Sequence, residues 1–289
     1  MKRARFELLL SSSLLLLACA KDGGERTFDE PAADAAPPAP ASSGTFGDAS
    51  AGPPPLGGEC AEETKQIYVL GTDKSLYRFY PEKLEFVRIG TVACPSAAGT
   101  FSMAIDRWGT AWIEYTDGRL FAVDTSDASC KPTAFQPGQT GFATFGMGFA
   151  KDDENGTGET LYAAGVGLAA LDTKTFELKF LGSLTYGRTE LTGMGTSLYA
   201  FAIGSGVIAG LNKTTAATEV TYRSSAVEPS AAFAFAQWGG DFWLFTGSST
   251  SKVTRYSPAT DESTVAVANT GMLIVGAGSS TCAPTKRPN

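Results

Sequence analysis

The chain has 289 residues, 43% of them hydrophobic and 18% charged, with 33 glycines and a net charge of −7, a balance that suits a β-rich domain with many turns. Its 23 basic residues face 30 acidic ones, and no basic cluster lies beyond residue 5, so the footprint that phosphate neutralisation needs is missing and a nucleic-acid partner is excluded. There is no histidine, which removes Ser-His triads, Cys-His pairs and almost all zinc sites.

Residues 1–18 read as an export signal. Lys2, Arg3 and Arg5 supply the positive start, and residues 8–17 form an apolar stretch too short to span a bilayer. The sequence Leu16-Leu17-Ala18-Cys19 resembles the lipobox of bacterial lipoproteins. That resemblance implies cleavage before Cys19, acylation of Cys19 and firm anchoring once more than one chain is attached. Without acylation, cleavage after Ala18 or Ala20 would release a secreted protein. Ala20, and not Asp, follows the Cys; by resemblance to the sorting rules of Gram-negative lipoproteins this implies the outer membrane, facing either the periplasm or the surface. Residues 19–58 then shift to Ala, Pro, Gly, Ser and acidic residues, which cannot build a core and read as a disordered tether.

From residue 59 to 285 one pattern recurs five times. Each repeat opens on an apolar pair, Ile67-Tyr68, Ala111-Trp112, Leu161-Tyr162, Leu198-Tyr199 and Phe242-Trp243, with steps of 44, 50, 37 and 44 residues between the aromatic positions. A second strand follows and ends in a turn: LYRFYPEKL, LFAVDTSDA, LAALDTKTF, IAGLNKTTA and VTRYSPATD. A period of this size built from short strands predicts an all-β fold, a five-bladed β-propeller of four-stranded antiparallel blades. Inner strands crowd the axis and want small residues, which are found at 102–105, 146–150, 191–195 and 233–236. The first repeat lacks such a strand upstream. Residues 272–277 supply it from the far end, so the C-terminal strand is expected to complete blade 1 and remove the free sheet edges. Residues 286–289 are left as a tail.

With Cys19 committed to lipid, four of the five cysteines remain in an exported chain, where disulfides are expected. Cys60 precedes the second strand of blade 1 and Cys282 follows the closing strand. Other blades join those two points by a short turn, so a Cys60–Cys282 bond would replace the missing turn. Cys94 and Cys130 pair by elimination. Cys94 follows an outer strand and Cys130 begins one, so they fall near opposite faces of ideal blades, and residues 91–100 must fold back over the blade flank to bring them within reach.

The hairpin from Met103 to Ile113, MAIDRWGTAWI, carries a family resemblance. The repeats over residues 66–278 resemble the bacterial propellers that include NHL-type and SMP-30/gluconolactonase-like proteins, and the whole chain resembles a myxobacterial type of lipoprotein of unassigned function. The resemblance implies a fold and no activity.

Candidate sites are few. The acidic turn at residues 152–158 offers hard oxygens for calcium, and Asp153, Asn155, Thr157 and Gly158 partly imitate an EF-hand loop. Ala164 stands where the bidentate acid belongs, so the turn reads as a solvated loop and no cofactor is expected. Trp108 and Trp238 fall in matching turns of blades 2 and 5 and could form part of a sugar or peptide platform, or each could fill a gap in its own blade. The loops entering the inner strands carry Gln139, Thr140, Tyr186, Arg188, Glu190, Glu228 and Ser230, a polar rim suited to binding.

A metal-dependent hydrolase or lactonase is the alternative that the gluconolactonase-like resemblance implies, and it would need Glu, Asn and Asp converging in the channel. The inner strands offer chiefly Asp106 and Gln237, both near turns. The expected function is therefore a membrane-anchored, monomeric, non-catalytic lipoprotein that presents its propeller to a protein, peptide or glycan of the envelope.

Overall fold

The computed structural model describes residues 60–228 and 230–288. The signal segment, Cys19 and the tether lie outside the described residues, as does Asn289. After a short 3₁₀ turn at Glu62–Lys65, blade 1 receives β1 (Ile67–Gly71), β2 (Ser75–Tyr80) and β3 (Glu85–Thr91). Blade 2 is β4 (Thr100–Ile105), β5 (Thr110–Tyr115), β6 (Leu120–Asp124) and β7 (Cys130–Pro132). Blade 3 is β8 (Gly146–Lys151), β9 (Glu159–Ala164), β10 (Leu168–Leu171) and β11 (Leu178–Gly182). Blade 4 is β12 (Thr189–Met194), β13 (Ser197–Ala202), β14 (Val207–Leu211) and β15 (Thr218–Arg223). Blade 5 is β16 (Ala232–Trp238), β17 (Asp241–Gly247), β18 (Ser251–Ser257) and β19 (Glu262–Val267). Finally β20 (Ile274–Ser279) returns to pair with β1, giving the order β20-β1-β2-β3 in blade 1 and five antiparallel four-stranded sheets in all.

The repeated turn sequences have a physical basis. Each joins the third strand of a blade to its outer strand, and each carries one non-glycine residue in the left-handed region: Leu84, Ala128, Phe176, Ala216 and Asp261. In three blades an Asx residue starts the turn. Asp124 accepts the Ser126 N–H at 2.8 Å, Asp172 accepts Lys174 and Thr175, and Asn212 accepts Thr214 and Thr215. The left-handed residue then returns its own N–H to the Asx carbonyl, as in Ala128 to Asp124, Phe176 to Asp172 and Ala216 to Asn212. Blades 1 and 5 use Pro81 and Pro258 instead, with φ fixed in advance for the second turn position.

Hydrophobic layers lie between neighbouring blades. One unites Tyr68, Leu70 and Leu76 of blade 1 with Met103, Ile105, Ile113 and Phe121 of blade 2. Another sets Ile67, Val69 and Phe79 of blade 1 against Ala234, Trp243 and Phe245 of blade 5, which seals the ring. At the axis the inner strands touch almost backbone to backbone. A Cβ on Gly146 would stand 2.1 Å from the Thr189 carbonyl oxygen, and one on Gly193 would stand 2.1 Å from that of Phe149.

Both disulfides form, Cys60–Cys282 with Cα atoms 5.7 Å apart and Cys94–Cys130 at 5.2 Å. The second pair is reached because β7 is only three residues long and sets Cys130 opposite Val123. The loop bearing Cys94 is also drawn onto blade 2. Arg119 donates to the Pro95 carbonyl at 3.0 Å, and Ser96 donates to Asp117 at 2.9 Å.

Candidate functional site

The two ends of the channel are built differently. Inner strands start at one face, the mouth, and end at the other. The chain enters the ring through Cys60 and the 3₁₀ turn before β1, and Ile67 pairs with Ser279 at the end of β20, so the entry lies on the face opposite the mouth. That entry face is closed by residues 280–288. Ser280 donates to the Thr64 carbonyl at 2.6 Å, and Thr281 donates to Glu159 of blade 3 at 2.5 Å. Gln237 of blade 5 donates to the Ala283 carbonyl, and the Gly239 N–H donates to Pro284. Arg287 pairs with the buried Asp241 at 2.8 Å, and Arg255 reaches the same carboxylate at 2.9 Å. Within the tail of residues 286–289, Arg287 is held by this pair with Asp241.

Within the channel, polar side chains meet in two layers. Near the mouth the Ser102 hydroxyl of blade 2 donates to Glu190 Oε2 of blade 4 at 2.8 Å. The Met147 N–H of blade 3 is shared between Ser102 Oγ at 3.2 Å and Glu190 Oε2 at 3.4 Å. A register shift between Thr100 and Ser102 leaves Phe101 bulged and sets Ser102 at the level of Met147 and Glu190. Deeper, the Gln237 N–H faces Thr192 Oγ1 at 3.2 Å and Ser279 Oγ at 3.3 Å, tying blades 4, 5 and 1 together.

Above the first layer lies a cavity of about 90 Å³ lined by Thr100, Phe101, Glu190, Ala232, Phe233 and Val275, with Arg188 at its lip. The Arg188 guanidinium donates to the Ala231 carbonyl at 2.9 Å and lies 4.9 Å from the centre of the Phe233 ring. Glu190 is only 3% exposed. Burial raises its pKa well above the ordinary carboxylate range, against the Ser102 and Met147 hydrogen bonds and the Arg188 charge. Behind it, on β5, Glu114 is fully buried and accepts the Phe145 N–H at 2.9 Å through Oε2. Its other oxygen has no partner among the described residues. Burial raises this carboxyl too, and the neighbouring Glu190 adds to the effect.

A partly buried acid stands at the entry face. Glu159 accepts the Arg107 N–H at 2.8 Å as well as Thr281, and burial raises its pKa to about 7. Asp106 spends its carboxylate on the Trp108 and Thr110 N–H groups and on the Trp112 indole at 3.1 Å. Neither Asp106 nor Gln237 converges with Glu190. Among the described residues no group of three or more His, Cys, Asp or Glu is placed to hold a metal ion.

The residues singled out by sequence fall in several places. Arg188 and Glu190 come together at the mouth, but Glu190 is the second residue of an inner strand and forms the cavity floor, where a rim position was expected. Tyr186 is on the same face, its hydroxyl 3.0 Å from that of Thr218. Glu228 is exposed nearby in sequence, and its carbonyl accepts the Ser230 hydroxyl. The two tryptophans are not a matched pair: Trp108 is 50% exposed, whereas Trp238 is 5% exposed and its indole N–H is held by the Lys65 carbonyl at 2.9 Å. In the acidic turn Asp152 takes the Thr160 hydroxyl, Asp153 the N–H groups of Asn155 and Gly156, and Glu154 the Thr196 hydroxyl. Sequence reasoning missed Ser102, Thr192, Ser279 and Glu114. An acid at 190, in the strand position that Met147, Phe233 and Val275 fill elsewhere, was the available signal.

No protein-family model matches the chain, and no curated protein sequence matches it. Solved structures align with the chain at low identity. A chain of a nidogen/laminin complex is 13% identical with a TM-score of 0.47, over 76% of this chain and 81% of that one. A protein of unknown function from Bacteroides thetaiotaomicron is 12% identical with a TM-score of 0.47, over 70% of this chain and 58% of that one. The extracellular domain of a candidate one-component system from the same organism is 12% identical with a TM-score of 0.40, over 74% of this chain but 28% of that one.

Proposed function

We propose that the chain is an exported, lipid-anchored and non-catalytic lipoprotein whose propeller binds an envelope protein, peptide or glycan through its mouth face. The observation that carries this reading is the polarity of the channel. The C-terminal residues cover the entry face, and the chain arrives there through Cys60, so the mouth is the end left uncovered by them. The two disulfides support export, because such bonds persist in oxidising compartments. Acylation of Cys19 and outer-membrane placement rest on the lipobox alone.

Hydrolysis by a channel metal is the weaker reading. Across the blades the Ser102 hydroxyl is spent on Glu190, and the Thr192 and Ser279 hydroxyl oxygens face the Gln237 N–H.

Photo-crosslinking side chains placed at Tyr186 and Glu228, compared with the same probe at Trp108 and Glu82 on the entry side, tests the reading in intact cells. Discrete adducts are expected from the first pair. Adducts from the second pair alone would overturn the assignment of the face. Release of the protein into the soluble fraction is expected for Cys19→Ala, and unchanged membrane association would overturn the anchor.

A further inference from the structure

We propose that the cavity at the mouth receives a primary ammonium group on a short alkyl stem, as a lysine side chain of the bound partner presents it. The inference rests on the binding reading above and gives its mouth a chemistry. The floor is one carboxyl, Glu190, buried to 3% exposure. Ser102 and Met147 both engage its Oε2, and Oε1 carries no partner among the described residues while the side chain lines the cavity. Beside Thr100 and Arg188, the walls carry Phe101, Ala232, Phe233 and Val275, which suit the carbons of a stem. The volume, about 90 Å³, has room for an ammonium and the few carbons behind it.

Charge points the same way. Two carboxyls, Glu190 and Glu114, sit within electrostatic reach of each other under this floor. The cation beside them, Arg188, is exposed and directed to the Ala231 carbonyl and the Phe233 ring. The β8, β16 and β20 strands bring Met147, Phe233 and Val275 to this level, none of them charged. Burial raises the Glu190 pKa well above the ordinary carboxylate range, and the charge of Arg188 at the lip offsets this only in part. An ammonium would supply the counter-charge and three donors.

Titration of the full chain with n-butylamine, followed by calorimetry or by chemical shifts of the Phe101 and Phe233 rings, tests the proposal. n-Butylamine is expected to bind at the mouth. n-Butanol and tetramethylammonium are expected to bind at least tenfold more weakly, the first for want of charge and the second for want of N–H donors and room. Glu190→Gln should lower the affinity for n-butylamine at least tenfold. Arg188→Ala, which leaves the floor intact and removes a like charge at the lip, should raise it. Equal binding of n-butanol would make the site a mere apolar cavity and overturn the proposal, as would unchanged affinity in Glu190→Gln. If n-butylamine fails while crosslinks from Tyr186 and Glu228 persist, the ligand chemistry is wrong and the binding face stands. If both fail, the binding reading falls with it.

Discussion

Ser102 and Glu190 stand 88 positions apart in the chain, yet their side chains meet 2.8 Å apart across the axis, joining blades 2 and 4 without passing through blade 3's side chains. A protonated Glu190 is close in shape and polarity to glutamine. Glu190→Gln is therefore expected to change stability by less than about 1 kcal/mol, whereas Glu190→Ala should cost roughly 2–4 kcal/mol, by leaving the Ser102 hydroxyl and the Met147 N–H short of an acceptor and opening a void. Urea unfolding of the two variants decides it. A Gln variant as unstable as the Ala variant would mean the acid is ionised in the fold.

Glu159 gives a pH dependence whose sign follows from its environment. Its folded pKa is raised to about 7 by burial, above the value it has when unfolded. The native state thus holds a proton that the unfolded state has already lost, and stability falls as pH rises from about 4.5 to about 7, by roughly 3 kcal/mol from this group at most. Glu114 and Glu190 are shifted in the same direction by burial, so they add to the decline. Urea midpoints at pH 5 and pH 8 should show the loss, and Glu159→Gln should flatten the part between them. A midpoint that rises with pH in the parent protein would refute the assignment.

The disulfides should differ in their effect. Cys60–Cys282 spans a separation of 222 residues and Cys94–Cys130 a separation of 36. In the chain-entropy model the first contributes roughly 5–6 kcal/mol and the second roughly 4 kcal/mol. Paired alanine substitutions at each site, compared by denaturant unfolding, should rank in that order. The first pair also holds the residues that cover the entry face, so its loss should increase proteolysis near Arg287. A larger effect from the 94–130 pair would show that strain or residual structure outweighs loop length.

Trp108 separates the two fates of the tryptophans. It is half exposed, whereas Trp112, Trp238 and Trp243 are all buried to 9% exposure or less. Acrylamide should quench the parent protein's fluorescence partially, and Trp108→Phe should remove nearly all of the quenchable part. Substantial quenching in that variant would contradict the burial of Trp238 under the C-terminal residues.

Much of the fold was legible because its causes are local. The apolar pairs at Tyr68, Trp112, Tyr162, Tyr199 and Trp243 and the turns closed by Asp124, Asp172 and Asn212 are written within single repeats. Even the closing strand was legible, because a missing inner strand must come from the other end of the chain. The site was less so. The Ser102–Glu190 contact depends on a bulge at Phe101 and on which residue of each inner strand turns to the axis, and both are fixed by packing between blades. Likewise, Trp238 resembles Trp108 in sequence position, but residues 282–288 pack over the first and leave the second open.

The tight axis gives the sharpest test of the ring itself. A Cβ on Gly193 would lie 2.1 Å from the Phe149 carbonyl oxygen and 2.7 Å from the Ala150 Cα, both backbone atoms that cannot rotate away. Gly193→Ala must therefore push β12 from β8, and a shift of packed inner strands typically costs about 1–3 kcal/mol or more. Gly187 is the control, since it lies in the loop before β12, has nothing within 4 Å of an added Cβ and does not need a positive φ. Gly187→Ala should be neutral or stabilise by up to about 1 kcal/mol through the unfolded chain. Because β12 carries Glu190, Gly193→Ala should also weaken n-butylamine binding at the mouth, although residue 193 lies outside the cavity lining. Equal urea midpoints for the two alanine variants would mean that the inner strands of blades 3 and 4 do not meet as closely as the ring requires.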